Sequence, residues 1–249
     1  MHKSNLLAVC AAAFLLAACG GGGGSTAPAP TPTPVPLSTT ALQGLWQSTA
    51  AGTTTTAAIV LPDGRMWQAS TDTSKSPTVT RLVKATISGQ SGSYTGAAKR
   101  YVLDDTGAAP TSASLSANLV EKVSLSDTVT STGTTDTYSL VYLSRYDTPA
   151  ALADFTGSWT ATLGAGVVSW SVTSAGVLSG SWTTGCTFAG QLSLRAEAKA
   201  VVETAITETC GSAVRLLQGV GALTADKSHF TVFMTSSDEA SASVISLGR

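Results

Sequence analysis

The chain is short of charge. Asp, Glu, Lys and Arg make up 12% of its 249 residues, against about 25% in an ordinary soluble domain. The formal net charge is −1 and no segment gathers a basic stripe, which argues against nucleic acid as a partner. Histidine is nearly missing too: there are two, His2 at the start and His229. A hydrolytic triad needs a base, and His229 precedes the alternating Phe230, Val232 and Met234, so it is expected to point outward or to sit at a strand end. Gly-x-Ser-x-Gly, Ser-x-x-Lys, His-Glu-x-x-His and nucleotide-binding loops do not occur. Asp104-Asp105 runs into Thr106-Gly107 and reads as a turn rather than a cation site. The residues therefore assign no catalytic group, no metal and no cofactor. Long apolar runs and long amphipathic helical patterns are also absent.

The longest apolar run, Leu6 to Ala18, follows Lys3. It is too short to span a bilayer and the right length for the core of a secretory signal. It ends in Leu16-Ala17-Ala18-Cys19, followed by Gly20. This resembles the lipobox of bacterial lipoproteins. The resemblance implies that residues 1–18 are a cleaved signal peptide and that Cys19 becomes an acylated N-terminus, anchored in a membrane. Several acyl chains at about 0.8 kcal/mol per buried CH₂ hold where one would be marginal. Gly at position 20, where enterobacterial inner-membrane retention uses Asp, implies the outer membrane; which side the protein faces stays open. Residues 19–37 then form a tether that cannot bury a core. Gly20 to Gly24 is an unbroken glycine run. The Pro-alternating stretch from Thr26 to Pro36 favours an extended polyproline conformation, at about 3.1 Å per residue and so roughly 30 Å of reach. Cys followed by glycines resembles Gram-negative surface lipoproteins of the transferrin-binding kind.

Of four cysteines, Cys10 leaves with the signal and Cys19 carries lipid. Cys186 and Cys210 remain, and outside the cytoplasm they are expected to pair.

About 210 residues follow the tether, enough for one large or two small domains. Thr-rich, Val-rich, Gly-punctuated sequence favours strands. Two copies of one plan are visible. Leu42-Gln43-Gly44-Leu45-Trp46 opens the first and Phe155-Thr156-Gly157-Ser158-Trp159 the second, each after a stretch suited to one helical turn (37–41 and 148–154). In the second copy Trp159, Val168, Trp170, Leu178, Trp182, Phe188, Leu192 and their neighbours fall on one face of period-two runs, as half-buried antiparallel strands require. If Cys186 and Cys210 face each other across a hairpin, Leu192 meets Thr204, Leu194 meets Val202 and Gly190 meets Ile206. Only Glu208, opposite Phe188, misfits, and it is expected at an open rim. Each copy yields about eight runs, so the expected fold is all-β: two tandem antiparallel up-and-down barrel-like modules, 38–147 and 148–249. The first copy alternates less cleanly, and no Gly or Pro marks a break within 113–130.

Gly-x-Trp on a first strand after a short helical turn resembles the calycin superfamily, lipocalins and avidins, in which the Trp closes one end of an eight-stranded barrel. The matching residues are Gly44 and Trp46, and Gly157 and Trp159. Trp46, Trp159, Trp170 and Trp182 are thus either core or the lining of a site for an apolar ligand. The expected function is a non-catalytic binding or interaction module, anchored on the outer membrane through its lipid, with an unidentified protein as partner. The alternative is a carrier of a small apolar ligand in one barrel.

Overall fold

The computed structural model describes residues 40–249 apart from 50–51, 77, 105–107, 165, 196 and 198. The expected signal, Cys19 and the tether lie outside the described residues.

The first copy is a closed barrel of β1 (Gly44–Ser48), β2 (Thr54–Val60), β3 (Arg65–Asp72), β4 (Val79–Gln90), β5 (Ser93–Val102), β6 (Thr111–Val120), β7 (Ser124–Ser131) and β8 (Thr134–Tyr142). The second is a closed barrel of β9 (Gly157–Leu163), β10 (Gly166–Val172), β11 (Val177–Trp182), β12 (Cys186–Leu194), β13 (Val201–Cys210), β14 (Ala213–Leu223), β15 (His229–Ser236) and β16 (Ala242–Gly248). Every neighbouring pair is antiparallel. β8 returns to β1 with Trp46 opposite Tyr142, and β16 to β9 with Gly248 opposite Thr160.

Turn chemistry sets the hairpins. After β2, Gly64 takes φ +83° and donates its N–H to the Leu61 carbonyl at 3.0 Å, while the Asp63 carboxylate accepts the Arg65 N–H. The break that the sequence does not mark, between β6 and β7, turns on Lys122. This residue adopts the left-handed region at φ 53° without being glycine.

One device closes the same end of both barrels. A 3₁₀ turn over Thr40–Leu42 and an α-helical turn over Leu152–Phe155 precede β1 and β9. The Trp46 indole N–H donates to the Leu42 carbonyl at 3.2 Å, and the Trp159 indole N–H to that of Phe155 at 2.8 Å. Leu42 and Phe155 are fully buried plugs. In the second barrel the Arg249 guanidinium lies 4.4 Å above the Trp159 ring and donates to the carbonyls of Lys227 and Asp154. It ties β16 to the helical turn. In the first barrel Tyr142, at the end of β8, meets Trp46 edge-on at 5.1 Å.

The register of β12 on β13 is the one implied by the cysteines, with Cys186 opposite Cys210, Gly190 opposite Ile206 and Leu192 opposite Thr204. The disulfide is formed. Glu208 differs from expectation. Its residue is only 4% exposed, because Arg215 on the adjoining strand β14 lies over it and donates through Nε at 2.7 Å. A paired carboxylate is tolerated inside where a bare one would not be.

The sequence pattern did not anticipate the join between the barrels. Leu45, Ile59, Trp67, Leu82 and Tyr101 face outward from β1 to β5, yet are buried against outward-facing Val201, Val220, Ala222 and Phe233 of β13 to β15. Strands β2, β3 and β15 are therefore covered on both faces, which accounts for the unbroken apolar runs Ala57 to Leu61 and Val232 to Met234. Ion pairs rim the seam: Arg65 to Glu203 at 2.5 Å, Arg195 to Asp63 at 3.4 Å and Lys84 to Glu239 at 2.6 Å. The Tyr101 hydroxyl donates to the Glu239 carbonyl at 3.2 Å. Being exposed by a quarter or more, most of these groups add little energy; the apolar contact dominates. Phe233→Ala, at the centre of the seam, is expected to lower the stability of the whole body by about 3 kcal/mol, read from urea unfolding by intrinsic fluorescence. A loss below 1 kcal/mol would mean the seam contributes little.

Candidate functional site

The tryptophans do not share one setting. Trp46, Trp159 and Trp170 are at most 2% exposed. They sit in continuous apolar cores with Phe230 and Phe188 against the second barrel's pair and Tyr142 against Trp46. These three fill space. Trp182 is half-buried at the opposite end of the second barrel, where Gly166 lets the indole lie across the mouth: a Cβ on Gly166 would come within 2.3 Å of its Nε1. Its outer side joins Leu163, Val244, Val79 and Leu103 around a cleft of about 440 Å³ shared by the two barrels. Trp67 belongs to the seam.

Sequence reasoning missed a polar interior in the first barrel. Alternation carries Gln68, Arg81, Arg100, Asp127, Asp136 and Tyr138 to the inward face, together with Thr56 and Ser70. At the end away from Trp46, Asp136 bridges two guanidiniums: Arg81 Nη1 at 2.7 Å from one carboxylate oxygen and Arg100 Nε at 3.3 Å from the other. Arg81 also approaches the Tyr138 hydroxyl at 3.5 Å. Deeper in the barrel, Asp127 on β7 stands opposite Tyr138 on β8. Asp127 and Gln68 are each 1% exposed. Neither carboxylate oxygen of Asp127, neither polar atom of the Gln68 amide, nor Arg81 Nε has a protein hydrogen-bond partner. An unanswered buried polar group costs about 1–3 kcal/mol, so this polar cluster weakens the barrel that contains it. Burial pushes the Asp127 carboxyl up to about 7, with the Gln68 amide pulling the other way. The second barrel leaves no inward charge unanswered among the described residues. Its buried inward polar residues are Thr204, Glu208 and Ser236: Arg215 answers Glu208 and Asp238 accepts from the Ser236 hydroxyl, while Thr204 Oγ1 and the Trp170 and Trp182 indole nitrogens have no protein partner.

The other candidates resolve plainly. His229 is exposed at the start of β15, its Nδ1 2.9 Å from the Ser228 hydroxyl, but that hydroxyl donates to Asp226 at 2.7 Å, and no carboxylate bonds the imidazole in the hydrogen bonds of the described residues. Asp104 is paired with Lys75 at 2.9 Å; Asp105 lies outside the described residues. Glu208 lies beside Cys186 and Cys210, but their sulfurs are bonded to each other and its carboxylate to Arg215, so this is a staple rather than a metal centre.

Two outcomes follow. Asp127 in the native state holds a proton that the unfolded chain releases near its ordinary value of 3.8. Stability is therefore expected to fall as pH rises from about 4 to about 7 and to level off above, by up to roughly 4 kcal/mol. Asp154, held below its usual range by the Lys227 ammonium, acts only at lower pH. Urea midpoints across pH 4–8 check this, and Asp127→Asn should flatten the slope; an unchanged slope would contradict it. Reduction of the disulfide is expected to cost about 3–4 kcal/mol, read by unfolding with and without reductant. No family model matches the chain, and neither a curated protein nor a solved structure does.

Proposed function

We propose that this is a lipoprotein held on the outer membrane through acylated Cys19, and that it acts by non-covalent binding without turnover or cofactor. The observation that carries the binding reading is the filling of the apolar interiors. Trp46, Trp159 and Trp170 pack into continuous cores, so an apolar cargo has no lining left inside either barrel, and a macromolecular partner meets the outer surface. That surface carries uncovered apolar side chains. Val120 and Val123, at the β6–β7 turn, are more than half exposed, with Val141 beside them on β8; Val214 and Leu216 on β14 are similar. In a chain otherwise coated by Ser and Thr, such residues favour a protein partner. The carrier reading moves from the barrel interior to the cleft at Trp182, whose Trp, Leu and Val lining suits a small apolar molecule.

The N-terminus and orientation are tested together. Mass spectrometry of the mature protein is expected to show acylated Cys19, and protease shaving of intact cells to release the barrels if they face outward. An unmodified Cys19 or a retained Met1 would overturn the anchor. Saturable hydrolysis abolished by His229→Ala would overturn the non-catalytic reading. Quenching of fluorescence by an apolar dye, lost in Trp182→Ala, would favour the carrier.

A further inference from the structure

The two barrels share a plan but not an interior. In the second, the inward charge is answered inside the protein: Glu208 has Arg215. In the first, the inward charges are answered only in part. Asp136 serves both Arg81 and Arg100, so this trio keeps one positive charge in excess. Beneath it, Asp127 and Gln68 are almost wholly buried; the Gln68 amide lies close enough to act on the Asp127 carboxyl, yet neither group makes a well-formed hydrogen bond, and Arg81 Nε is unpartnered as well. Around these groups the inward face is trimmed to small side chains, Ala98, Ala113 and Ala117. Buried polar groups in folded proteins find partners, in the protein or in something the protein holds. Here the protein offers only the loose approach of Gln68 to Asp127.

We propose that the polar half of the first barrel is a binding site for a small organic anion, a carboxylate that also carries a hydroxyl. The unpartnered groups define the guest. Arg81 Nε–H is a donor next to excess positive charge, which calls for an anionic acceptor, and guanidinium suits a carboxylate. The Gln68 amide offers both donors and an acceptor, and Asp127, neutral when it holds its proton, offers one of each. A hydroxyl both gives and takes a hydrogen bond and answers this pair. A metal cation does not fit, because Asp136 is taken by two guanidiniums and Asp127, the one inward carboxylate left without a partner among the described residues, lies beside that excess positive charge. An apolar guest would leave every one of these atoms unanswered. The site is reached from the barrel end opposite Trp46, where the Arg81 side chain is 29% exposed. This inference rests on the buried polar cluster alone and stands or falls independently of the membrane anchor.

The test uses the full mature chain with Cys19→Ser to keep it soluble and its disulfide intact. Glycolate, acetate, ethylene glycol and sodium chloride are titrated at matched ionic strength, with thermal unfolding and calorimetry as readouts. Glycolate is expected to raise the melting temperature saturably, acetate to bind at least tenfold more weakly, and ethylene glycol to have no effect beyond the salt control. Gln68→Leu and Asp127→Leu remove unanswered polar groups and are expected to unfold at higher temperature at pH 7 while losing the glycolate response. A merely structural role would move the first of these readouts and not the second. Arg81→Lys keeps the charge, removes the Nε donor, and should weaken glycolate at least tenfold. Glycolate indistinguishable from sodium chloride, or a Gln68→Leu variant that keeps the full response, would overturn the proposal. If a leucine variant fails to fold, crystals of the Cys19→Ser chain grown with glycolate decide: density joining Arg81 to Gln68 supports it, and ordered water alone overturns it.

Discussion

Closure of the strand ladders is the constraint on which everything else depends. An open sheet presents unpaired N–H and C=O groups, and natural edges are commonly guarded by charged side chains. This chain has few charges to spend on that task. Closing each sheet on itself removes the edges instead. Yet the closing ladders are thin, one residue pair between β16 and β9 and three between β8 and β1. The contacts around Trp46 and Trp159 hold them shut. Each indole bonds a helical turn to the first strand, and a residue at the end of the last strand, Tyr142 or Arg249, packs on the ring. The Gly-x-Trp openings visible in the sequence are thus the points where each barrel is fastened.

Much of the fold was legible for that reason. Strands, hairpins, the disulfide and the register of β12 on β13 follow from period-two alternation anchored by two cysteines. The seam was not read, although its signal was present. Alternation reports one buried face, and runs such as Ala57 to Leu61 report two; in a chain rich in Val and Ala such runs look like noise until a partner surface is known. The same logic explains the weaker pattern of the first copy. Gln68, Arg81, Arg100, Asp127 and Asp136 occupy inward positions, so polar residues stand where the pattern asks for apolar ones. The irregularity that obscured the strands was the candidate site itself. Five residues scattered over five strands carry no motif, and only barrel closure brings them together.

The distribution of stabilising features between the barrels is uneven in a consistent direction. The second has the disulfide, an almost wholly apolar interior and the Arg249 clamp. The first has no staple, and it contains buried polar groups that oppose folding. The seam connects the two through the strands that need help. β2 and β3 of the first barrel, the latter carrying Gln68 inward, send Ile59 and Trp67 outward onto Val220 and Phe233 of the second. Burial on both faces compensates β3 for the polar group it presents to the interior.

That arrangement gives a physical reason for two barrels where one would fold. A barrel filled with apolar side chains is stable but offers its interior to nothing. A barrel with unpartnered donors inside can hold a polar guest but sits lower in stability, and proteins tolerate such sites only where stability is recovered elsewhere. Here the recovery is external to the first barrel. Its outward face, which in a free-standing module would need a polar coat, is instead apolar and covered by a stapled neighbour. Separating the copies would therefore harm the first more than the second, since the first loses both its covered face and the only counterweight to Asp127 and Gln68.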